Sequence, residues 1–199
     1  MIKLYCGEDT YSLNHSLKKL EADFSIVNFG DMNIQKLDGA GLTYDSLIRS
    51  ATAVPFLADK RLIIISNFLR DGDQNLRQYL TDNSNKIPDS SEIVLVEEGE
   101  VNKNLGLYKK LLKMKAVQHF PLRKGYELEK WLQEYVKEEG IAISFPVIKK
   151  LIATAGNNTW RLTNELAKLD QYRKARVKSE IEEIDIDEMV QSEHDQNIF

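Results

Sequence analysis

The 199-residue sequence has a single cysteine, Cys6, so no intramolecular disulfide can form, and a lone thiol fits a reducing compartment. Cys6 ends an apolar, strand-like run, where it reads as buried filler and not as a nucleophile. No apolar run approaches the roughly 20 residues that a membrane helix needs. The N-terminus, Met1 to Asp9, lacks the charged-then-apolar layout of a signal peptide. A cytoplasmic location with no membrane contact is therefore the default expectation. Positive charge is not in excess either: the formal net charge is −4, so any nucleic-acid contact must come from a local patch. Hydrophobic residues at 42% and charged residues at 29% exclude collagen-like, disordered and membrane classes.

What is present is an alternation of apolar runs and helical patterns. Ile2 to Cys6 predicts a first strand, followed by the turn Gly7-Glu8-Asp9-Thr10 and a helix from about Ser12 to Ala22 carrying Leu13, Leu17 and Leu20 on one face. Phe24 to Phe29 predicts a second strand. Thr43 to Ser50 predicts a short helix capped by Thr43, with Leu47 and Ile48 inward. Arg61 to Ser66 predicts a third strand, and its run Leu62 to Ile65 has no polar alternation, as in a parallel strand buried on both faces. A helix over Gln74 to Leu80, a polar loop over Asn83 to Ser91 and a strand over Ile93 to Val96 follow. A helix over Lys103 to Met114, with Leu105, Tyr108, Leu111 and Leu112 inward, leads to a fifth strand over Ala116 to Phe120.

Strands separated by helices call for a parallel sheet, because parallel neighbours need a crossover connection. From Tyr126 the pattern changes to helices over Tyr126 to Glu139, Pro146 to Ala155 and Thr159 to Tyr172. Gly140 and Gly156 close the first two. The acidic stretch Glu180 to Gln191 predicts a last short helix. The expected organisation is an α/β domain over residues 1–121 and a small helical domain over 122–199.

The strand, glycine turn and helix at the start occupy the place of a phosphate loop, G-x-x-x-x-G-K-[ST], in which lysine counters phosphate charge and the hydroxyl holds magnesium. Counting from Gly7, the second glycine position is Ser12, the lysine position Leu13 and the hydroxyl position Asn14. All three are wrong for nucleotide, and Lys18 and Lys19 lie too far along the helix to substitute. The third strand ends in Ser66 and Asn67, with no carboxylate for a metal. Glu97 and Glu98 point to opposite faces of a strand and read as a solvated loop pair. His15, His119 and His194 are scattered, with no companion at ligand spacing, so no metal site is expected, and His15 reads as a surface residue. No G-x-S-x-G elbow is present. No cofactor and no catalytic residue are expected. Two basic clusters, Lys109, Lys110, Lys113, Lys115 and Arg173, Lys174, Arg176, Lys178 beside Tyr172, read as solvated faces, with phosphate contact as the alternative.

One stretch remains unexplained. Val54, Phe56 and Leu57 bracket Pro55 in the connection before the third strand, where turn residues are the ordinary choice. Fully burying each apolar side chain is worth roughly 1.5–3 kcal/mol. The energetic default is that they fold back onto the core; the alternative is a partner-binding projection.

Several stretches, in order, carry a family resemblance: Leu4-Tyr5-Cys6-Gly7-Glu8-Asp9, the run Ala53 to Ile65, Leu128-Glu129-Lys130-Trp131-Leu132, Gly156-Asn157-Asn158-Thr159, Asn164 to Leu169, and Asn197-Ile198-Phe199. Together the sequence resembles the N-terminal two-thirds of the delta subunit of the bacterial DNA polymerase III clamp loader. The resemblance implies an AAA+-like α/β domain with a parallel five-stranded sheet, then a small helical lid domain, with a degenerate nucleotide site at Gly7, Ser12, Leu13 and Asn14. It implies a place in the DNA polymerase III holoenzyme, a DNA-directed DNA polymerase, with no catalysis by this chain. It implies the sliding clamp (beta subunit) as the partner of Val54, Phe56 and Leu57, with Pro55 shaping the turn; Val54 stands where a longer side chain can occur. Other implied partners are the tau/gamma and delta prime loader subunits, with DNA reached through the assembled complex. A C-terminal collar domain that assembles the loader follows in the family, and its expected absence here predicts a fragment competent in clamp binding and poor in assembly. A nucleotide-dependent enzyme on the same fold and a nucleic-acid module using Tyr172 to Lys178 are the competing readings.

Overall fold

The structure, a computed structural model, describes residues 1–191. His194 and the Asn197-Ile198-Phe199 stretch lie outside the described residues. The chain separates into two compact units, Met1–Leu122 and Arg123–Phe199.

In the first unit, β1 (Ile2–Gly7), α1 (Thr10–Val27), a 3-10 turn (Gly30–Asn33), β2 (Ile34–Asp38), α2 (Tyr44–Thr52), β3 (Arg61–Ser66), α3 (Phe68–Asp71), α4 (Gln74–Asn83), β4 (Ser91–Glu98), α5 (Gly106–Lys113) and β5 (Val117–His119) follow in order. The strands form one parallel sheet in the order β2-β3-β4-β1-β5. Both faces are covered, which is why β3 over Leu62 to Ile65 and β4 over Ile93 to Val96 are apolar without alternation. Ile63, Ile65, Ile93, Leu95, Ile2 and Leu4 enter one cluster, shared with Leu47, Leu76 and Leu111 of the helices. Leu62, Ile64, Val94 and Val96 enter the other, which Leu13 and Phe24 of α1 close.

Two local expectations are overturned, and one short helix is added. Phe24 to Val27 is the last turn of α1, and the second strand is Ile34–Asp38. Leu13, Leu17, Leu20 and Phe24 are spaced at helical intervals and all pack in one cluster, so Phe24 continues a helical stripe and Ile26 and Val27 face solvent. The true strand escaped notice because it is the sheet edge, with only Ile34 and Leu37 packed, on opposite faces. Leu112 is exposed: α5 buries Leu107, Tyr108 and Leu111, and Leu112 lies a further 100° round the helix. The short helix α3 was not foreseen; Asn67, in the left-handed region (φ 59°), turns the chain so that Phe68 and Leu69 are buried.

The second unit contains α6 (Tyr126–Glu138), α7 (Phe145–Ala155), α8 (Thr159–Ala175) and α9 (Glu183–Met189). Leu128, Leu132, Ile148, Leu151, Leu162 and Leu166 meet in its core. Gly140, just beyond α6, has a left-handed φ of 66°, the backbone turn that favours glycine there.

Candidate partner-binding site

The edge of the sheet at which the strands end is where open α/β folds ordinarily take ligands. Here that edge is filled by the chain itself. Gly7 leaves β1 with φ 147°, and a Cβ at this position would lie 2.1 Å from the Phe120 carbonyl oxygen. The following Asp9 caps α1: its carboxylate accepts from the Ser12 N–H at 3.1 Å and the Ser12 hydroxyl at 2.7 Å. The helix N-terminus that would otherwise attract a phosphate thus holds a buried carboxylate. Leu13, at the lysine position, is 0% exposed and packed in the core. Asn14, at the hydroxyl position, donates to the Thr10 carbonyl (2.9 Å) and to Glu98 (3.0 Å). These residues do not fit a magnesium–nucleotide complex, and no step is derived through one.

Glu97 corrects the expectation of a solvated pair. Glu98 is exposed, but the Glu97 side chain is buried beneath α3, where it accepts from the Leu69 N–H at 2.5 Å. It borders a cleft of about 320 Å³ shared with Arg70, Arg77 and Glu100. The Arg77 guanidinium is spent on the Leu69 and Gly72 carbonyls. Burial raises the Glu97 carboxyl above its ordinary 4.5, with the Leu69 and Arg70 backbone N–H groups opposing. The folded chain therefore binds this proton more tightly than the unfolded chain. The associated stability is complete below 4.5 and is lost as pH rises through the folded value. A Glu97→Gln variant cannot ionise, so its stability relative to the parent is expected to grow between about pH 4 and pH 7 in paired urea titrations. A constant difference across that range would show that Glu97 is not desolvated as described.

The other candidates resolve as follows. Cys6 is fully buried, and burial pushes its thiol up to about 11, which leaves it protonated and inert at neutral pH. His15 is exposed and stacks on Tyr11. Among the described residues no group of three or more His, Cys, Asp or Glu could hold a metal ion. No described helix is long and apolar enough to cross a membrane. The basic cluster in the second unit is paired within itself. Arg173 and Lys174 meet Asp170 at 2.8 and 2.7 Å, Lys178 meets Asp185 at 2.6 Å, and Arg176 lies 5.3 Å over the Tyr172 ring.

Val54, Phe56 and Leu57 do not fold back onto the core. They are 87%, 55% and 68% exposed, with Pro55 half-buried between them. Their projection has identifiable causes. Helix α2 ends at Thr52, and Ala53 takes an extended conformation, as a residue two before proline readily can. Leu57 adopts a left-handed φ of 50°, a conformation a branched side chain rarely takes. Phe56 is held at its backbone: its N–H donates to the Asn33 Oδ1 at 2.7 Å, and its carbonyl accepts from the Asn33 Nδ2 at 2.9 Å. Sequence reasoning missed Asn33 because its partner lies 23 residues away. The projection precedes β3, so it stands at the edge where the parallel strands begin, opposite the edge at which the Gly7 to Thr10 turn leaves β1.

Comparison with known proteins bears on the family and the fold. The family model for the DNA polymerase III delta subunit matches residues 4–120. Curated proteins gave no match. Among solved structures, the Bacillus subtilis DNA clamp loader delta protein (YqeN) is similar at a TM-score of 0.69 and 19% identity, over 99% of this chain and 60% of that one. The Thermotoga maritima RuvB Holliday junction branch migration motor is similar at 0.55 and 11%, over 94% of this chain and 60% of that one. At such identities the likeness shows the fold alone: a five-stranded parallel sheet with flanking helices of the AAA+-like kind. The chain spans about 60% of the length of each.

Proposed function

Since the chain belongs to the DNA polymerase III delta subunit family, we propose that it acts in DNA replication as a clamp-loader subunit that grips the sliding clamp. Val54, Phe56 and Leu57 are the gripping side chains, shaped by Pro55, and the ring is opened at a subunit interface without ATP hydrolysis by this chain. The observation that carries the reading is the exposure of three large apolar side chains on a backbone fixed from below. A monomer does not ordinarily leave such a cluster in solvent.

A subunit with no hydrolysis of its own can act on a ring only through binding energy. It must hold the opened or distorted interface more tightly than the closed one, because a ligand shifts an equilibrium only by its differential affinity. Phe56 and Leu57 supply a small apolar hot spot of the kind that carries most of an interface's energy. Residues 1–121 form the AAA+-like domain in this reading and 122–199 the lid. The tau/gamma and delta prime subunits are its partners in the holoenzyme, and DNA is reached through the assembly.

Surface plasmon resonance of the chain against the sliding clamp of the same organism tests the reading, and absence of saturable binding would remove it. A nucleotide-dependent enzyme is the other reading that the fold permits. Isothermal titration with magnesium-ATP separates the two, with no saturable heat expected, since Leu13 and Asn14 cannot serve phosphate and metal.

A further inference from the structure

Four more apolar side chains stand beside the projection and play no part in the fold's core. Ile26 is 83% exposed, Val27 75%, Phe29 65% and Met32 75%. They belong to the end of α1 and the turn that follows it. Topology brings them to the projection: α1 and α2 each run back from the ends of the strands to their beginnings, and β2 and β3 are neighbours in the sheet. The connection into β2 and the connection into β3 therefore emerge side by side.

Asn33 joins the two connections through one buried amide. Its Nδ2 donates to the Asn28 carbonyl at 2.9 Å as well as to the Phe56 carbonyl, while its Oδ1 accepts from the Phe56 N–H. The side chain is 3% exposed and uses donors and acceptor alike. On the α1 side, Ser25 donates its hydroxyl to Asp31 at 2.7 Å, which fixes the turn against the helix. Phe29 has a left-handed φ of 58°, as Leu57 has on the other connection. Two bulky apolar residues thus occupy a backbone conformation ordinarily left to glycine or asparagine, each beside a hydrogen bond to the same asparagine. Burial does not explain either choice, because both side chains are in solvent.

We propose that the clamp-docking surface is composite: Phe29 and Met32, with Ile26 and Val27 behind them, grip the same sliding clamp as Phe56 and Leu57, and Asn33 is the positioning residue that locks the two segments in one arrangement. The inference rests on the clamp reading above. The occupant is the same clamp because Asn33 leaves no freedom for the two patches to be presented separately. A partner seated on Val54 to Leu57 meets the neighbouring connection at once.

The test uses the full chain on immobilised clamp from the same organism. Phe29→Asn combined with Met32→Ser keeps the left-handed turn, since asparagine tolerates it, and changes only exposed side chains. Its affinity is expected to fall about tenfold with an unaltered thermal melt. Asn33→Ala is expected to weaken clamp binding and to increase hydrogen exchange at the Phe56 amide. In a double-mutant cycle its effect on affinity is expected to be non-additive with Leu57→Ala, a coupling that a general loss of stability does not produce. Parent-like affinity of the Phe29→Asn, Met32→Ser variant overturns the composite surface whether or not Asn33→Ala folds. Strict additivity in the cycle overturns the role of Asn33. If Phe56→Ala with Leu57→Ala leaves binding intact, the clamp is held elsewhere and the composite surface falls with the assignment of Val54 to Leu57; if the parent chain shows no saturable binding, the clamp reading itself falls. If that pair abolishes binding and the Phe29, Met32 pair does not, the composite surface alone falls.

Discussion

Replacing Phe56 and Leu57 together by alanine is expected to weaken binding of the sliding clamp by at least about a hundredfold. The same change is expected to alter the chain's stability by no more than about 0.5 kcal/mol. The two halves of this expectation come from different sides of one observation. In the chain alone these side chains stand largely in water, so their removal forfeits little burial and leaves no cavity. In a complex they are the large apolar groups able to fill a pocket, and truncating two neighbouring anchors removes most of what a small hot spot supplies. Leu57→Ala keeps a left-handed residue at a position that already carries that strain, so the turn itself is not relieved. Affinity by surface plasmon resonance and stability by urea titration on the same samples check both halves. Unfolding of the double variant would show that the side chains support the fold, and undiminished affinity would show that the clamp is held elsewhere.

A second large effect runs in the opposite direction. Leu13→Lys, which restores the lysine of a phosphate loop on paper, is expected to destabilise the chain by about 4 kcal/mol or more. Leu13 is fully buried on the α1 face of the sheet, in the apolar cluster that also holds Tyr5, Leu62, Ile64, Val94, Val96 and Phe120. The substitution deletes an apolar core side chain and places an ammonium where no carboxylate is at hand, because the Asp9 carboxylate is already committed to the N-terminus of α1. Against a total stability of roughly 5–15 kcal/mol for a domain, that loss leaves a large unfolded fraction at 37 °C. A circular dichroism melt measures it. Parent-like melting would show that Leu13 is not the core residue described, and acquisition of saturable magnesium-ATP binding would show that the phosphate site had retained its shape.

Set side by side, Leu13 and Leu57 show what a residue's chemistry does and does not say. Both are leucines next to a turn; one is fully buried and one is 68% exposed. The helical spacing of Leu13, Leu17 and Leu20 made the first legible, because periodicity reports a buried face directly. The stretch before β3 has no period, and energetic reasoning alone favoured its burial. The resemblance to a known family turned the reading to the alternative, a projection, and the fixed backbone of Phe56 shows how the segment is kept from collapsing.

The parallel α/β character of the first part of the chain, the presence of Ser12, Leu13 and Asn14 where a phosphate loop needs glycine, lysine and a hydroxyl, and the helical character of the later stretch followed from the sequence by itself. Each depends on local pattern: apolar runs bounded by turns, spacing from Gly7, and helical periodicity closed by Gly140. The strand order β2-β3-β4-β1-β5, the edge position of Ile34–Asp38, the burial of Glu97 under α3 and the tie between Asn33 and Phe56 were decided only by the tertiary structure. These are pairings between residues far apart in the chain. An edge strand carries half the apolar pattern of a central one, a buried carboxylate looks in sequence like any other, and an asparagine's amide gives no sign of which carbonyls it will meet. Tertiary structure thereby put two exposed apolar connections at one edge of the sheet and joined them through a single buried side chain.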